Sequence, residues 1–402
     1  MSLAAGRGGV ASARGFSVGI GEAGIRESGG PDLVLIESDR PASAAATFTT
    51  NLMRAAPVLL AEEALADTGG GARGIIVNAG CANAGTGAGG LDDARAVVAA
   101  AADHLGCEPY EVLPASTGLI GSRLPVRQIV DAIGGLRLRR SATASGRAAR
   151  AIMTTDTRPK QHAASVRLGD GRTVTIGGMA KGAGMIHPQM ATMLAFLTTD
   201  APIGSASLRT LLGPIVDRTF NQVSIDGDTS TNDAVIVLAN GAVGGPALDA
   251  ADQRTFADML EAACRALAVA IAADGEGARH LIEVTVHGAA SDADARAVAR
   301  TVAASSLVKT AVHGADPNWG RIAAAAGRSG ARLDPERIRI HIGPVPVYDG
   351  NPLPFDEAHA RRVLRGRTVP LVLDLLDGEG SGTAWGCDLS AEYVAINSEY
   401  TT

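Results

Sequence analysis

Apolar and polar positions along the chain follow two different periods, and the changes of period predict a mixture of strands and helices. Residues 74–78 (GIIVN) form a short apolar run that leads into the glycine- and asparagine-rich NAGCANAGTGAGG. Residues 91–105 then fit a helix, with Asp92 and Asp93 in a first turn where negative charge is favoured. This part of the chain therefore predicts a strand, a glycine-rich loop and a helix in succession.

The second half of the chain shows the same mixture. Residues 281–287 (LIEVTVH) and 337–342 (RIRIHI) alternate with period two, as half-buried strands do. Residues 134–151 (GGLRLRRSATASGRAARA) predict an exposed connection. One face of a helix that ends at Asp274-Gly275 is indicated by apolar residues spaced three and four apart: Phe256, Leu260, Cys264, Leu267 and Ile271.

Together with these patterns, the composition favours a large α/β protein. The 402 residues are 46% hydrophobic and only 3% aromatic, so the core must consist mainly of Ala, Val, Ile and Leu, packed closely with the help of 50 glycines. A chain of this length predicts at least two lobes. The net charge of -6 and the scattered arginines argue against nucleic acid and favour a small-molecule substrate.

Cysteine, histidine and hydropathy patterns exclude several further classes. The four cysteines, Cys81, Cys107, Cys264 and Cys387, are far apart and lack CxxC spacing, which argues against a disulfide framework or a zinc site and fits a reducing cytoplasm. The eight histidines are dispersed, so we expect no metal. Neither a secretory signal nor an apolar run of about 18 residues is present, which argues against a membrane protein.

Residues 177–201 (GGMAKGAGMIHPQMATMLAFLTTDA) carry the most informative chemistry. A glycine-rich loop containing Lys181 leads to an apolar run at residues 193–197, with Ala191 and Thr192 at the junction. A threonine in the middle of a chain is usually a strand or capping residue, so the residues alone leave that interpretation open beside a nucleophile.

This segment resembles the self-processing signature of the ornithine acetyltransferase (glutamate N-acetyltransferase) family, in which the chain breaks between Ala and Thr of ATML. The resemblance implies an α/β fold of stacked sheets between helices, similar to the N-terminal-nucleophile enzymes. It continues in order along essentially the whole chain, at residues 46–58, 114–121, 152–160, 219–234, 274–278, 309–322 and 384–402.

The family resemblance also implies the reaction. Cleavage between Ala191 and Thr192 would give chains 1–191 and 192–402, assembled as an α2β2 heterotetramer. N-acetylornithine would acetylate Thr192 and release ornithine, and glutamate would then accept the acetyl group as N-acetylglutamate, in arginine biosynthesis in the cytoplasm. No cofactor is implied, although acetyl-CoA is a possible second donor.

Cleavage makes chemical sense because it creates its own catalyst. A threonine hydroxyl is a weak nucleophile that needs a base. The α-amine that cleavage frees on Thr192 has a reference pKa of about 7.7–8.0, so it can take the hydroxyl proton at working pH.

The resemblance also names the site residues. It implies that the Thr117 hydroxyl and the Gly118 amide hold the oxyanion, and that Lys181 binds the α-carboxylate while Glu276 pairs with a cationic amine. Each residue taken singly would otherwise be read as an ordinary polar turn or a solvated side chain. The full set of substrate contacts implied is Thr154, Thr155, Lys181, Thr192, Glu276, Asn397 and Thr402.

Five positions depart from the family pattern: His187, Arg279, His280, Cys81 and Gly85. Because His187 lies near the nucleophile and Arg279 follows Glu276, these changes could alter the acceptor pocket. Three alternatives stay open. They are the same chemistry on another amino acid or diamine, a related N-terminal-nucleophile amidohydrolase or aminopeptidase, and a non-catalytic binding protein.

Two further blocks are predicted to serve structure. Asp226, Asp228 and Asp233 lack the order of a calcium loop, so turn-forming and capping roles are expected. The PNWG sequence at residues 317–320 is interpreted as a packed turn.

Overall fold

A computed structural model describes residues 4–6, 8–187 and 193–399 and confirms the α/β class. The helices are α1 (Ala56–Asp67), α2 (Gly87–Leu105), α3 (Val126–Gly134), α4 (Ala142–Ala151), α5 (Ser205–Arg218), α6 (Ala250–Ala272), α7 (Asp292–Ala303), α8 (Ser306–His313), α9 (Trp319–Gly327), α10 (Glu357–Leu364) and α11 (Ala391–Glu399). Short 3-10 turns occupy Pro109–Glu111 and Phe220–Gln222.

The strands are β1 (Ala4–Gly6), β2 (Phe16–Gly21), β3 (Leu33–Phe48), β4 (Gly71–Cys81), β5 (Val112–Leu119), β6 (Lys160–Arg167), β7 (Thr173–Lys181), β8 (Leu194–Thr199), β9 (Val223–Ser224), β10 (Ala234–Ala239), β11 (Leu281–Ala289), β12 (Arg339–Ile342), β13 (Val345–Asp349), β14 (Thr368–Asp374) and β15 (Gly380–Cys387).

Within the described ranges these strands form two sheets. A nine-stranded sheet has the order β1-β6-β7-β8-β10-β3-β4-β5, with β2 also paired to β3. A six-stranded sheet has the order β13-β12-β14-β11-β15-β9. In the middle of the larger sheet β8 and β10 are parallel, and Leu194 lies opposite Ala234. The residues that precede these two strands are therefore neighbours, although 40 positions separate them in sequence.

Helix α6 joins the two sheets, because it packs against β6 and β7 of one and against β9 and β15 of the other. The helical face predicted from spacing is confirmed, since its five apolar side chains are all buried. Asp249 caps the helix by accepting the backbone N–H groups of Ala251 and Asp252. One helix thus bridges the two sheets of the α/β fold.

Several of the predicted boundaries are wrong. The exposed connection at residues 134–151 contains α4, because Ser141 caps a helix whose alanine face, including Ala148 and Ala149, is buried. Helix α2 begins at Gly87, so Asp92 and Asp93 lie beyond its first turn. The strand predicted at 337–342 is β12, which begins two residues later. No helix in the described part of the chain is long and apolar enough to cross a membrane.

Candidate active site

One cleft, with a volume of about 590 Å³ including solvent at its mouth, opens at an end of the nine-stranded sheet. It brings together every described residue that the sequence suggested for the site: Thr117, Gly118, Thr154, Thr155, Lys181, Glu276 and Asn397. Ala191, Thr192 and Thr402 lie outside the described residues. The described candidates come from five separate parts of the sequence, so their convergence is a property of the fold.

The backbone at Gly118 has a conformation that requires glycine. Strands β4 and β5 run parallel, and a bulge places Cys81 opposite both Thr117 and Leu119. Gly118 has a φ of 129°, and a Cβ there would lie 2.2 Å from the carbonyl carbon of Gly80. The bulge brings the end of β5 into the cleft, where the side chain of Thr117 is buried.

Lys181, the last residue of β7, is a buried cation at the floor of the cleft. Its Nζ donates to Thr154 Oγ1 at 2.7 Å and to Thr117 Oγ1 at 3.4 Å. A hydroxyl that accepts a bond in this way keeps its own hydrogen to donate. Burial lowers the pKa of Lys181, and the nearby carboxylate of Asp156 opposes that shift.

Lys181 belongs to a series of buried charged side chains that contact one another. Asp156 Oδ2 lies 3.9 Å from Lys181 Nζ, and Lys160 Nζ contacts Asp156 at 2.5 Å and Asp274 at 2.6 Å. Burial alone would raise the pKa of Asp156, but Lys181, Lys160 and the Gly182 N–H together hold it below its usual value. Because these charges alternate in sign, each one compensates the burial of its neighbour.

Glu276 also lines the cleft, and its position is fixed by two hydrogen bonds. Its backbone N–H donates to the carbonyl of Ala183 at 2.8 Å, and its carboxylate accepts from Asn397 Nδ2 at 2.7 Å. A Cβ on Gly184 would lie only 2.5 Å from the carboxylate carbon, so a side chain at this position would displace the Glu276 carboxylate. Helix α11 therefore completes the cleft through Asn397.

Three polar residues that precede β10 were not recognised from the sequence as part of the site. Ser230, Thr231 and Asn232 line the cleft, and Asn232 Nδ2 donates to the carbonyls of Ala82 at 2.7 Å and Ser116 at 2.9 Å. These residues belong to a block that was recognised only as part of the family pattern. Their position next to the cleft depends on strand order, which their spacing does not reveal.

The structural roles predicted for the acidic block and the PNWG turn are partly confirmed. Asp226 orders a turn, since its carboxylate accepts the backbone N–H groups of Met185 and Ile186, the latter at 2.9 Å. Asn318 caps α9 by accepting the N–H of Arg321. Asp233 instead lies fully buried at the start of β10, where it accepts the N–H of Met193 at 2.7 Å.

The positions that depart from the family pattern contact other parts of the molecule. His187 Nδ1 lies 3.1 Å from Ser224 Oγ, and burial together with Arg300 lowers the His187 pKa. The backbone N–H groups of Arg279 and His280 both donate to Asp388 at 2.8 Å. None of the three is among the described residues that line the cleft.

The cleft has the chemistry of an amino-acid site. It presents a buried cation, a carboxylate bonded to an asparagine side chain, and threonines from the end of β5 and from the loop before β6. A cation and a carboxylate facing one cavity match the two charged groups of an amino acid. The described residues include no group of three or more His, Cys, Asp or Glu side chains that could hold a metal ion.

Comparison with known proteins identifies one family over nearly all of the chain. A family model described as the ArgJ family matches residues 17–402. An "Arginine biosynthesis bifunctional protein ArgJ" of Parasynechococcus marenigrum is 48% identical over 396 residues, which is 98% of this chain and 96% of that protein. One of the same name from Thermus thermophilus is 49% identical over 389 residues, covering 97% and 98%. A crystal structure of the ArgJ protein of Bacillus halodurans is 45% identical, covers 50% of this chain and 97% of that chain, and has a TM-score of 0.49.

Proposed function

The chain belongs to the ArgJ family, and from this premise we propose that it moves an acetyl group from N-acetylornithine to glutamate through an acetyl-Thr192 intermediate. It is an acetyltransferase enzyme of arginine biosynthesis. The proposal concerns the identity of the substrates, the intermediate and the residues that act.

The main support for this proposal is that Lys181, Thr117 and Glu276 line the same cleft although they come from three distant parts of the sequence. Lys181 binds the α-carboxylate that acetylornithine and glutamate have in common, because it is a buried cation with its Nζ among hydroxyl groups. Glu276 pairs with a cationic amine of the substrate, held in place by Asn397.

The oxyanion of each transfer step is held by the Thr117 hydroxyl and the Gly118 amide. Both lie at the bulged end of β5, where the backbone geometry is fixed by close contact with Gly80. Donors held in place before the reaction stabilise the developing charge without reorganising, which is the most effective form of this stabilisation. Thr154 and Thr155 line the same cleft and complete the polar surface around the substrate.

Self-cleavage between Ala191 and Thr192 precedes transfer and divides the protein into chains 1–191 and 192–402. Met193, which is bonded to Thr192, is anchored at the start of β8 by Asp233. This anchor supports a nucleophile at the end of the sheet where the cleft opens. The terminal Thr402 completes the substrate site in this proposal.

The assembly and setting are also proposed. Two copies of each chain form an α2β2 heterotetramer, and acetyl-CoA acts as a second acetyl donor without a bound cofactor. The four cysteines are free, which supports a reducing cytoplasm as the location.

An acetyl-transfer assay on the purified protein tests this function. We expect N-acetylglutamate and ornithine to form in equal amounts from N-acetylornithine and glutamate, with ornithine preferred over other diamino acids when the reaction is run in reverse. Formation of acetate and ornithine without N-acetylglutamate would identify a hydrolase. A different preferred acceptor in a panel of amino acids would overturn the substrate assignment, and no turnover at all would favour a binding protein.

A further inference from the structure

Asn232 lines the cleft, but its amide nitrogen is occupied by the protein itself. The residue is 4% exposed, and its Nδ2 donates to the carbonyl oxygens of Ala82 at 2.7 Å and Ser116 at 2.9 Å. A side-chain amide has two hydrogens to donate, and both are used here. The Asn232 amide nitrogen therefore holds backbone in place and has no hydrogen left to offer a substrate.

Asn232 is itself held by its neighbours in sequence. Its Oδ1 accepts the Thr231 hydroxyl at 2.6 Å, and its backbone N–H donates to Ser230 Oγ at 3.1 Å. The Thr231 carbonyl in turn accepts the backbone N–H of Ala55 at 2.9 Å. The orientation of the amide is thus set by the protein alone.

The two carbonyls held in this way constrain the chain before and after the proposed oxyanion donors. The Ser116 carbonyl shares a planar peptide group with the Thr117 nitrogen, so fixing it sets the direction in which the chain enters Thr117. Ala82 donates its backbone N–H to the carbonyl of Leu119 at 2.9 Å, so fixing Ala82 constrains the residue that follows Gly118.

These contacts matter because β5 lies at an edge of the nine-stranded sheet. Within the described ranges, β4 is its only strand partner. An edge strand presents N–H and C=O groups that no second strand pairs. The bond from Asn232 to Ser116 therefore adds a constraint to β5 from outside its pairing with β4.

We propose that Asn232 is a positioning residue for acetyl transfer. Its amide holds the two carbonyls, and these keep the Thr117 hydroxyl and the Gly118 N–H in place to stabilise the oxyanion. This inference rests on the oxyanion roles of Thr117 and Gly118 in the proposed function. Such donors are effective because they need not reorganise during the reaction, so a contact that fixes their backbone acts on turnover.

Asn232→Ala and Asn232→Asp separate hydrogen bonding from packing. Alanine removes both amide hydrogens, whereas aspartate keeps the size of the side chain but can hold at most one of the two carbonyls. Asn240→Ala is the matched control. Asn240 follows the other end of β10, is also buried, and donates from Nδ2 to the Arg14 carbonyl at 3.0 Å.

Steady-state kinetics give kcat and KM for both substrates, expressed per chain that begins at Thr192 so that slower self-cleavage is not counted as slower transfer. We expect both Asn232 variants to lower kcat by about 10–100-fold with a smaller change in KM, which is less than the loss of a whole oxyanion donor. Asn240→Ala should keep the wild-type kcat. Wild-type kcat in Asn232→Asp would mean that the side chain only fills space, and a rise in KM at unchanged kcat would make it a binding residue. Either result overturns the proposal.

A double variant tests whether Asn232 acts through Thr117. Asn232→Ala should lower kcat much less in a Thr117→Ala background than in the wild-type chain, because the hydroxyl that it positions is already absent. Losses of kcat that multiply would show that the two residues act independently and would overturn the proposal.

Thr231→Val tests the same contact without changing Asn232, in case the Asn232 variants do not fold. It keeps the shape of the threonine and removes the hydroxyl that orients the Asn232 amide. We expect kcat to fall about threefold to tenfold, the equivalent of one hydrogen bond. An unchanged kcat would overturn the proposal.

Failure of this inference and failure of the proposed function give different results. A wild-type chain that transfers no acetyl group would contradict the proposed function, and a normal kcat in Thr117→Ala would contradict the proposed oxyanion site. If Thr117→Ala lowers kcat but the Asn232 variants do not, only the role of Asn232 is wrong.

Discussion

Two regions of the protein bury different kinds of side chain. One is the end of the nine-stranded sheet that forms the cleft, and the other is the core of the six-stranded sheet. The first buries Lys160, Lys181, Asp156 and Asp274 in contact with one another. The second is aliphatic, with the side chains of β11, β12 and β14 packed against α7 and α9. The ion pair of Arg339 with Asp349, on β12 and β13, lies at the surface.

Because of this difference, we expect one region to serve mainly the reaction and the other to contribute most of the stability. Removing a charged group from water costs several kcal/mol, so a cluster of buried charges is a weak way to stabilise a fold. Burying aliphatic side chains stabilises a fold directly. We therefore expect substitutions of the uncharged cleft residues to act mainly on the reaction, and substitutions in the core of the six-stranded sheet to act mainly on the free energy of unfolding.

Thr192→Ala should have the largest effect, because the hydroxyl serves both cleavage and acetyl attachment. We expect one uncut chain on a denaturing gel and no acetyl transfer. Thr192→Ser, which keeps a hydroxyl, is the control and should still cleave. Two bands from the alanine variant, with normal activity, would show that Thr192 is not the nucleophile.

Thr117→Ala should lower kcat by about 10²–10³-fold with a smaller change in KM, since an oxyanion donor acts chiefly in the transition state. Steady-state kinetics with both substrates measure this division. Thr117→Ser should retain most of the activity. A rise in KM at unchanged kcat would make Thr117 a binding residue instead.

Asn397→Ala should weaken the binding of the amine-bearing substrate about tenfold, because Glu276 loses one hydrogen bond to its charged carboxylate. The measurement is KM for N-acetylornithine and for ornithine in the reverse direction. Ser398→Ala is the neighbouring control on α11, since its hydroxyl donates to the Ala395 carbonyl of the same helix. Equal effects of the two changes would point to α11 as a whole.

Ile340→Val tests the other side of the comparison. Ile340 is fully buried in the six-stranded sheet, so loss of one methylene should lower the free energy of unfolding by about 0.5–1.5 kcal/mol. Urea unfolding measures that change, and kcat of the folded enzyme should stay the same. A fall in kcat with unchanged stability would contradict the division of roles.

His187→Ala should have the smallest effect. Because His187 contacts Ser224 and is not part of the described lining of the cleft, we expect the order of preference among ornithine, lysine and shorter diamino acids to stay the same. Acetyl-transfer rates with each acceptor measure this. A changed order would restore the hypothesis that His187 selects the acceptor.

Local patterns in the sequence predicted the local parts of the fold. The face of α6 and the alternation in β11 follow directly from the spacing of apolar residues. Helix α4 was missed because its buried face consists of alanines interspersed with arginines, which resembles an exposed segment. Such a face becomes recognisable only once there is a sheet for it to cover.

The residues that form the site were predicted, but the contacts that link them were not. Resemblance named Thr117, Lys181 and Glu276, whereas the link from Lys160 to Asp274 spans 114 positions and depends on strand order. The contact between Asp233 and Met193 likewise exists because β8 and β10 run parallel as neighbours. Neither contact leaves a periodic signal in the sequence.

The central claim is that the acetyl group passes through Thr192. Purified enzyme is mixed with N-acetylornithine without glutamate, quenched in acid within a turnover, and digested for peptide mass spectrometry. We expect a chain that begins at Thr192 and carries one acetyl group on that residue, with ornithine released in an amount equal to the enzyme. Transfer that proceeds with an unmodified Thr192, or with the acetyl group on another residue, would contradict it.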